Sequence, residues 1–197
     1  MLSGSNTFDV GGSTNSSIVG LSNYSDGMVI NAGNLTTNGS LTFNGTSLGN
    51  PSGLGSDPGR YVNGTSVSGN LNIISSNGAL VIAGQGANYG INLGGTVNIS
   101  ANVTNSNVSL QGVGAYTGST VRSSGVRLNN LVTSGNVNIT GTATAGAGGS
   151  VLGEGITVAT GARTFDSTNG TLTLNGSSSA AGYSGINLLN ANLTTTG

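Results

Sequence analysis

Apolar and polar residues alternate with a period of two along most of this chain, in short runs broken by Asn, Ser and Gly. The stretch 125–141, GVRLNNLVTSGNVNITG, holds three such runs: Val126 with Leu128, Leu131 with Val132, and Val137 with Ile139. A period of two marks a strand with one buried face, and Asn/Gly/Ser clusters mark turns. Three strands with their turns in so short a stretch amount to one lap of a parallel β-helix. One lap cannot bury its apolar face alone and requires copies above and below.

Copies are present as two motifs. The first is Gly, branched apolar, any residue, apolar. It occurs as Gly27-Met28-Val29-Ile30, Gly90-Ile91-Asn92-Leu93, Gly125-Val126-Arg127-Leu128, Gly155-Ile156-Thr157-Val158 and Gly185-Ile186-Asn187-Leu188, the last three beginning 30 residues apart. The second is apolar, any, apolar, any, Gly. It begins at Leu41, Leu80, Val108, Val137 and Leu172, at spacings of 28 to 39 residues. Between the motifs sits a shorter apolar single or pair, such as Leu35, Val97 with Ile99, Leu131 with Val132, and Leu193. Two motifs recurring in fixed order predict an all-β parallel β-helix, a three-sheet β-solenoid of about five to six coils with essentially no α-helix. Val126, Leu128, Val137, Ile139, Ile156, Val158, Leu172, Leu174, Ile186 and Leu188 are expected to point inward. The alignment requires Val137 and Leu172 to occupy equivalent positions in adjacent coils.

The pattern also divides the chain. Residues 1–23 carry weaker alternation (Phe8 with Val10, Ile18 with Val19) and read as a poorly defined first coil or lead-in. Residues 24–197 read as the repeats, an excerpt of a longer array, with the register hardest to assign near Gly69 to Ile73. Gly49 to Gly64 departs from the repeat and holds both prolines, Pro51 and Pro58. It reads as a loop insertion. Asp57, Arg60 and Tyr61 there are the candidate recognition residues, because loops carry recognition more often than the scaffold does.

Composition sharpens this picture. Gly is 37 of 197 residues, charged residues are 5% and aromatics 4%. A Gly/Ser-rich chain can be a disordered linker, but those combine high net charge with low hydrophobicity; this one has net charge −1 and 35% apolar residues held in phase with the repeat. Corners need positive φ, which Gly supplies and Asn tolerates. Like charges stacked at one outward position about 4.8 Å apart would repel, which favours neutral Asn, Thr and Ser. The four Arg (Arg60, Arg122, Arg127, Arg163) are scattered and Lys is absent, so no phosphate-tracking stripe exists and no nucleic-acid partner is expected. No run approaches the roughly 18 apolar residues of a helical membrane span, and the first residues lack the basic start and apolar core of a signal peptide. No membrane insertion of this segment is expected.

Candidate chemistry is sparse. His and Cys are absent, and the acids are Asp9, Asp26, Asp57, Glu154 and Asp166, no two close in sequence. No catalytic, cofactor-binding or metal-binding residue is assigned. Asp26 and Glu154 each precede a motif glycine and could share a face, but corner capping is the commoner role. Calcium-binding roll repeats need a GGxGxD run, which Gly53-Leu-Gly55-Ser-Asp57 imitates poorly. Tyr24, Tyr89 and Tyr183 lie just before motif glycines, where a sugar-stacking stripe or corner packing would place them. Asn-x-Ser/Thr sequons recur through the chain. A chain this rich in Asn, Ser and Thr produces many by composition. Asn98 and Asn138 are the candidate glycan acceptors, because each lies between two inward residues and is expected to face solvent.

The phrases SSGVRLNNLVTSGNVNITGTAT (123–144) and YSGINLLNANLTTTG (183–197) resemble the repeat regions of large bacterial surface adhesins of the filamentous-haemagglutinin and high-molecular-weight adhesin type. The resemblance covers roughly 24–197 as a style of repeat. It implies a right-handed parallel β-helix forming part of a stalk exported across the outer membrane and displayed at the bacterial cell surface. The function expected is a structural and adhesive segment of a secreted surface protein, not an enzyme. Its partners would be a host-cell or surface receptor, such as a glycan, and neighbouring repeats of the same chain. The alternative is a carbohydrate-binding or carbohydrate-degrading β-helix of the tailspike or polysaccharide-lyase type.

Overall fold

Inward apolar residues recurring once per lap give strands that pair with their own copies, and the computed structural model shows such pairing throughout. It describes residues 1, 4, 6–8, 16–23, 25–47, 62–101, 106–116, 123–145, 153–159, 163–179, 181–189 and 191–196. Among these are strands β1 (Asn6–Phe8), β2 (Ser16–Ser22), β3 (Met28–Thr37), β4 (Leu41–Ser47), β5 (Thr65–Ser75), β6 (Gly78–Gly86), β7 (Tyr89–Leu93), β8 (Val97–Ala101) and β9 (Ser106–Tyr116). They are followed by β10 (Ser124–Leu128), β11 (Leu131–Ser134), β12 (Val137–Ala145), β13 (Ile156–Val158), β14 (Arg163–Thr168), β15 (Leu172–Ser178), β16 (Ile186–Asn187) and β17 (Ala191–Thr196). No helix occurs among the described residues. The protein is all-β, and its strand pairs are parallel.

Two hydrogen-bonded networks result. The smaller sheet runs β2-β4-β6-β9-β12-β15. The larger has eleven strands and contains two columns. One column takes the first half of β3, the first half of β5, then β7, β10, β13 and β16. The other takes β1, the second halves of β3 and β5, then β8, β11, β14 and β17. The long strands β3 and β5 belong to both and join them. Between Asn31 and Gly33 the β3–β5 register shifts by a bulge. Curled parallel sheets of this kind are compatible with a solenoid.

The register aligns the repeat. Val137 lies opposite Leu172 on one side and Val108 on the other, and Ile139 lies opposite Leu174 and Leu110. Val126, Leu128, Val137, Ile139 and Ile156 are buried in one continuous apolar core. Val158, Leu172, Leu174, Ile186 and Leu188 pack against that core but stay half-buried; β15, which carries Leu172 and Leu174, and β16, which carries Ile186, have no described strand on their far side. The ladder reaches into the 1–23 stretch as well, where β2 pairs with β4 from Ser16 to Ser22.

The glycines of the two motifs meet. A Cβ on Gly45, Gly84, Gly112, Gly141 or Gly176 would fall on the carbonyl oxygen of Gly64, Gly90, Gly125, Gly155 or Gly185 respectively. Gly20 and Gly27 repeat the contact one lap earlier. The result is a seam where the end of each smaller-sheet strand touches the start of the next larger-sheet strand, backbone on backbone.

Asparagine links one lap to the next at the other corners. The Oδ1 atoms of Asn70, Asn130 and Asn136 accept hydrogen bonds from the backbone N–H of Thr96, Thr164 and Thr171, at 3.1, 3.2 and 3.2 Å. At the corner before β12, Gly135 takes φ 88°; the corner before β15 has Asn169 at φ 51°. These are left-handed positions that Gly and Asn tolerate. Asn136→Ala is expected to cost about 1 kcal/mol, the usual value of one such bond, and a urea unfolding midpoint would measure it.

Candidate functional site

The seam decides where variable sequence leaves the scaffold. Each seam pair closes the base of one excursion: Gly20 to Gly27, Gly45 to Gly64, Gly84 to Gly90, Gly112 to Gly125, Gly141 to Gly155 and Gly176 to Gly185. The excursions differ greatly in length yet begin and end at one touching pair. Asp57, Arg60 and Tyr61 belong to the second of them and lie outside the described residues. Its closing end is well anchored. Val62 and Asn63 are buried, and Gly64 donates its N–H to the Tyr89 carbonyl at 2.9 Å.

The excursion bases stack into a small polar layer beside the apolar core. Asn88 donates its N–H to the Val62 carbonyl, and Ser124 donates to the Asn88 carbonyl, at 3.0 and 2.9 Å. Asp26 caps this layer: its Oδ1 accepts the Asn63 N–H at 2.7 Å and its Oδ2 accepts the Asn63 side-chain amide at 3.4 Å. Glu154 lies at the far end, where its Oε1 accepts the Asn187 amide at 3.2 Å. Both acids therefore bind the amide-bearing residue one lap on. Four strand spacings separate β3 from β13, about 19 Å at 4.8 Å each. That is too far for these two to act as the carboxylate pair of a glycosidase, which sit roughly 5–9.5 Å apart. Among the described residues, no group of three or more His, Cys, Asp or Glu could hold a metal ion.

Outward faces carry amides and hydroxyls. On the column holding β3, β5 and β8, the Asn98 side chain donates to Asn72 at 2.7 Å and Asn72 donates to Asn34 at 2.9 Å. Beside this ladder runs a shallow groove of about 220 Å³. Its lining includes Asn72, Ile74, Asn98, Ser100, Val132 and Thr168. Ile74 and Val132 expose 44% and 38% of their surface, so the groove floor is partly apolar.

Asn98 and Asn138 are both exposed, on different sheets. The Nδ2 that a glycan would occupy is, in Asn98, the donor to Asn72. Tyr89 is half-buried under Arg127, whose guanidinium carbon lies 5.7 Å from the ring centre and whose Nη1 donates to Asn92 at 3.1 Å. This cation–π pair and the groove were not signalled by either motif, because both depend on which residues the lap length brings side by side.

No protein-family model, curated protein or solved structure matches this chain.

Proposed function

We propose that this chain is a structural and adhesive segment of a secreted bacterial surface protein, built as a right-handed three-faced β-helix of about six coils. The observation that carries the reading is the stacked parallel repeat itself, with variable excursions confined to one seam and neutral amides and hydroxyls on the outward faces. Right-handedness rests on chain geometry: parallel crossovers within one sheet are right-handed in about 98% of cases. The six-coil count rests on the six strands of the smaller sheet. The adhesin reading rests on the repeat style of 123–144 and 183–197. An extended scaffold with exchangeable loops suits attachment at a distance from a cell surface.

The test is direct. Fluorescently labelled chain is applied to host cells, to glycan-coated and bare surfaces, and to other bacteria. Saturable binding that falls when residues 49–61 are replaced by a short Gly/Ser bridge supports the reading and assigns recognition to the Asp57, Arg60 and Tyr61 loop. Binding to none of these surfaces overturns it.

The groove beside Asn98 favours a second reading, carbohydrate binding on the outward face. Amides and hydroxyls over a partly apolar floor suit a neutral sugar ring. A glycan array with wild type and Asn98→Ala separates the two, and release of reducing ends from a polysaccharide would instead make the protein a carbohydrate-degrading enzyme.

We further propose that a minority of the sequon asparagines carry hexose in the native host, Asn138 ahead of Asn98. The Asn98 amide must leave its partner to be modified, whereas no such ladder bond holds the exposed Asn138. Intact-mass measurement on protein from that host is expected to show hexose increments, with the Asn138→Gln variant losing one. A mass equal to the bare polypeptide ends this proposal.

A further inference from the structure

We propose that three exposed corner asparagines, Asn38, Asn77 and Asn169, convert spontaneously to aspartate and isoaspartate, and that the seam protects three others with the same following residue. The inference starts from chemistry. The backbone nitrogen after an asparagine can attack that residue's side-chain Cγ. The new N–Cγ bond closes a succinimide ring, the Cγ–Nδ2 bond breaks, and ammonia leaves with the displaced proton. Water then adds to one of the two ring carbonyls, and opening there gives aspartate or isoaspartate. The step consumes only water. Glycine in the following position favours ring closure, because no Cβ obstructs its nitrogen and its backbone turns freely. Six Asn-Gly pairs occur in the chain: Asn38-Gly39, Asn44-Gly45, Asn63-Gly64, Asn77-Gly78, Asn169-Gly170 and Asn175-Gly176.

The fold divides these pairs into two sets. Asn44, Asn63 and Asn175 stand just before seam glycines. Asn44 lies inside β4, laddered to β2 and β6, and Asn175 lies inside β15, laddered to β12. An extended strand keeps the following nitrogen turned away from the side chain, so the ring cannot close without local opening. Asn63 is clamped instead. It is buried, and Asp26 accepts both its N–H and its side-chain amide. The Gly64 N–H, which would have to attack, is held by the Tyr89 carbonyl at 2.9 Å.

The other set stands at the corner where the chain passes from the larger sheet to the smaller. Asn38 lies between β3 and β4, Asn77 between β5 and β6, and Asn169 between β14 and β15. All three are exposed and outside the strands. Gly39 and Gly170 also lie outside the strands and donate to no described carbonyl, so no ladder restrains their nitrogens. Gly78 takes φ 81° and Asn169 φ 51°, so the backbone already turns at these pairs. Asn38 and Asn77 occupy successive laps of one corner, where a Cβ on Gly78 would fall on the Gly39 carbonyl carbon. Conversion of both sets two carboxylates about one strand spacing apart, 4.8 Å. On a chain of net charge −1 the corner thereby becomes an acidic patch as the protein ages. Asn38-Gly-Ser and Asn169-Gly-Thr are also sequons, where a glycan on Nδ2 would block the reaction, whereas Asn77-Gly-Ala is not.

Peptide mapping by mass spectrometry tests this on unglycosylated recombinant chain, incubated for days at mildly alkaline pH, folded in one sample and in concentrated urea in the other. In the folded sample Asn38, Asn77 and Asn169 are expected to gain the mass of an amide-to-acid exchange. Labelling by an isoaspartyl methyltransferase should mark the same three positions. Asn44, Asn63 and Asn175 should convert at least about tenfold more slowly, since each waits for local opening. In urea all six should convert at similar rates, which separates protection by the fold from any effect of neighbouring residues. Corner asparagines that keep their amides in the folded chain overturn the proposal. So do seam asparagines that convert as fast as the corner ones, or a difference between the two sets that persists in urea.

Discussion

Gly141→Val is expected to destabilise the protein by about 4 kcal/mol or more, beyond what a surface glycine substitution costs. The Cβ at this position would fall on the Gly155 carbonyl oxygen, and a γ-carbon of Ile156 lies close by. A flexible side chain could yield, but a carbonyl fixed in the β10–β13–β16 ladder cannot move without breaking its bonds. Gly182→Ala is the control. Gly182 has φ 83° with nothing within contact distance, so only the left-handed conformation opposes alanine, about 1–2 kcal/mol. Position along the stack should matter as well. Stability in such arrays is a sum of neighbour interfaces, so Gly112→Val, in mid-stack, should cost more than Gly176→Val at the last seam. Urea midpoints and amide hydrogen exchange, compared across the four variants, would check this. Equal midpoints for Gly141→Val and Gly182→Ala would refute the steric account.

Leu110→Ala is expected to cost about 3 kcal/mol or more. Leu110 is fully buried, with Ile82 on one side and Ile139 on the other in the same sheet. Truncation leaves a cavity between two fixed strands that cannot close on it. Leu174→Ala removes the same atoms from the equivalent position of β15, where the side chain is only half-buried and no cavity is enclosed. Its cost should be about 1 kcal/mol, a fraction of the transfer term alone. Denaturant titration followed by far-UV circular dichroism gives both numbers, and similar losses would show that Leu110 is not packed as described.

The legible parts of the fold were those where one residue type recurs at one station. The second motif gave the smaller sheet in register, Val137 against Leu172 included. What the motif could not show is why its glycine is there: the reason is the partner glycine at the other end of the excursion. The stretch near Gly69 to Ile73 resisted assignment because the lap there opens with Gly64-Thr65. Thr65 takes the inward station of Met28 and Ile91, which removes the apolar signature. It is tolerated because its hydroxyl donates to the Ala83 carbonyl at 2.7 Å. Paired apolars hide their phase in another way. In Ile73-Ile74 and Leu131-Val132 only the first residue is buried, and the second lies on the outward groove. The groove and the asparagine ladder join residues 26 to 38 positions apart, such as Asn72 with Asn98 and Asn34 with Asn72. That is one lap, and its length varies too much for a linear reading to bring them together. The candidate recognition residues Asp57, Arg60 and Tyr61 stand out in the sequence only as an exception to the repeat, and they lie outside the described residues.

The ladders that join successive laps have a mechanical consequence. Their hydrogen bonds run along the stacking direction, so tension between the two ends of the chain loads them by peeling rather than shearing. Only the outermost lap bears the force at any moment. Stretching a tethered molecule should therefore give a train of small, similar rupture steps, each freeing roughly 30 residues or about 100 Å of extended chain. The largest step is expected where the Gly45–Gly64 excursion is released, because the slack gained there includes its whole length. Such a tether would yield gradually under flow and recoil lap by lap when the load is removed.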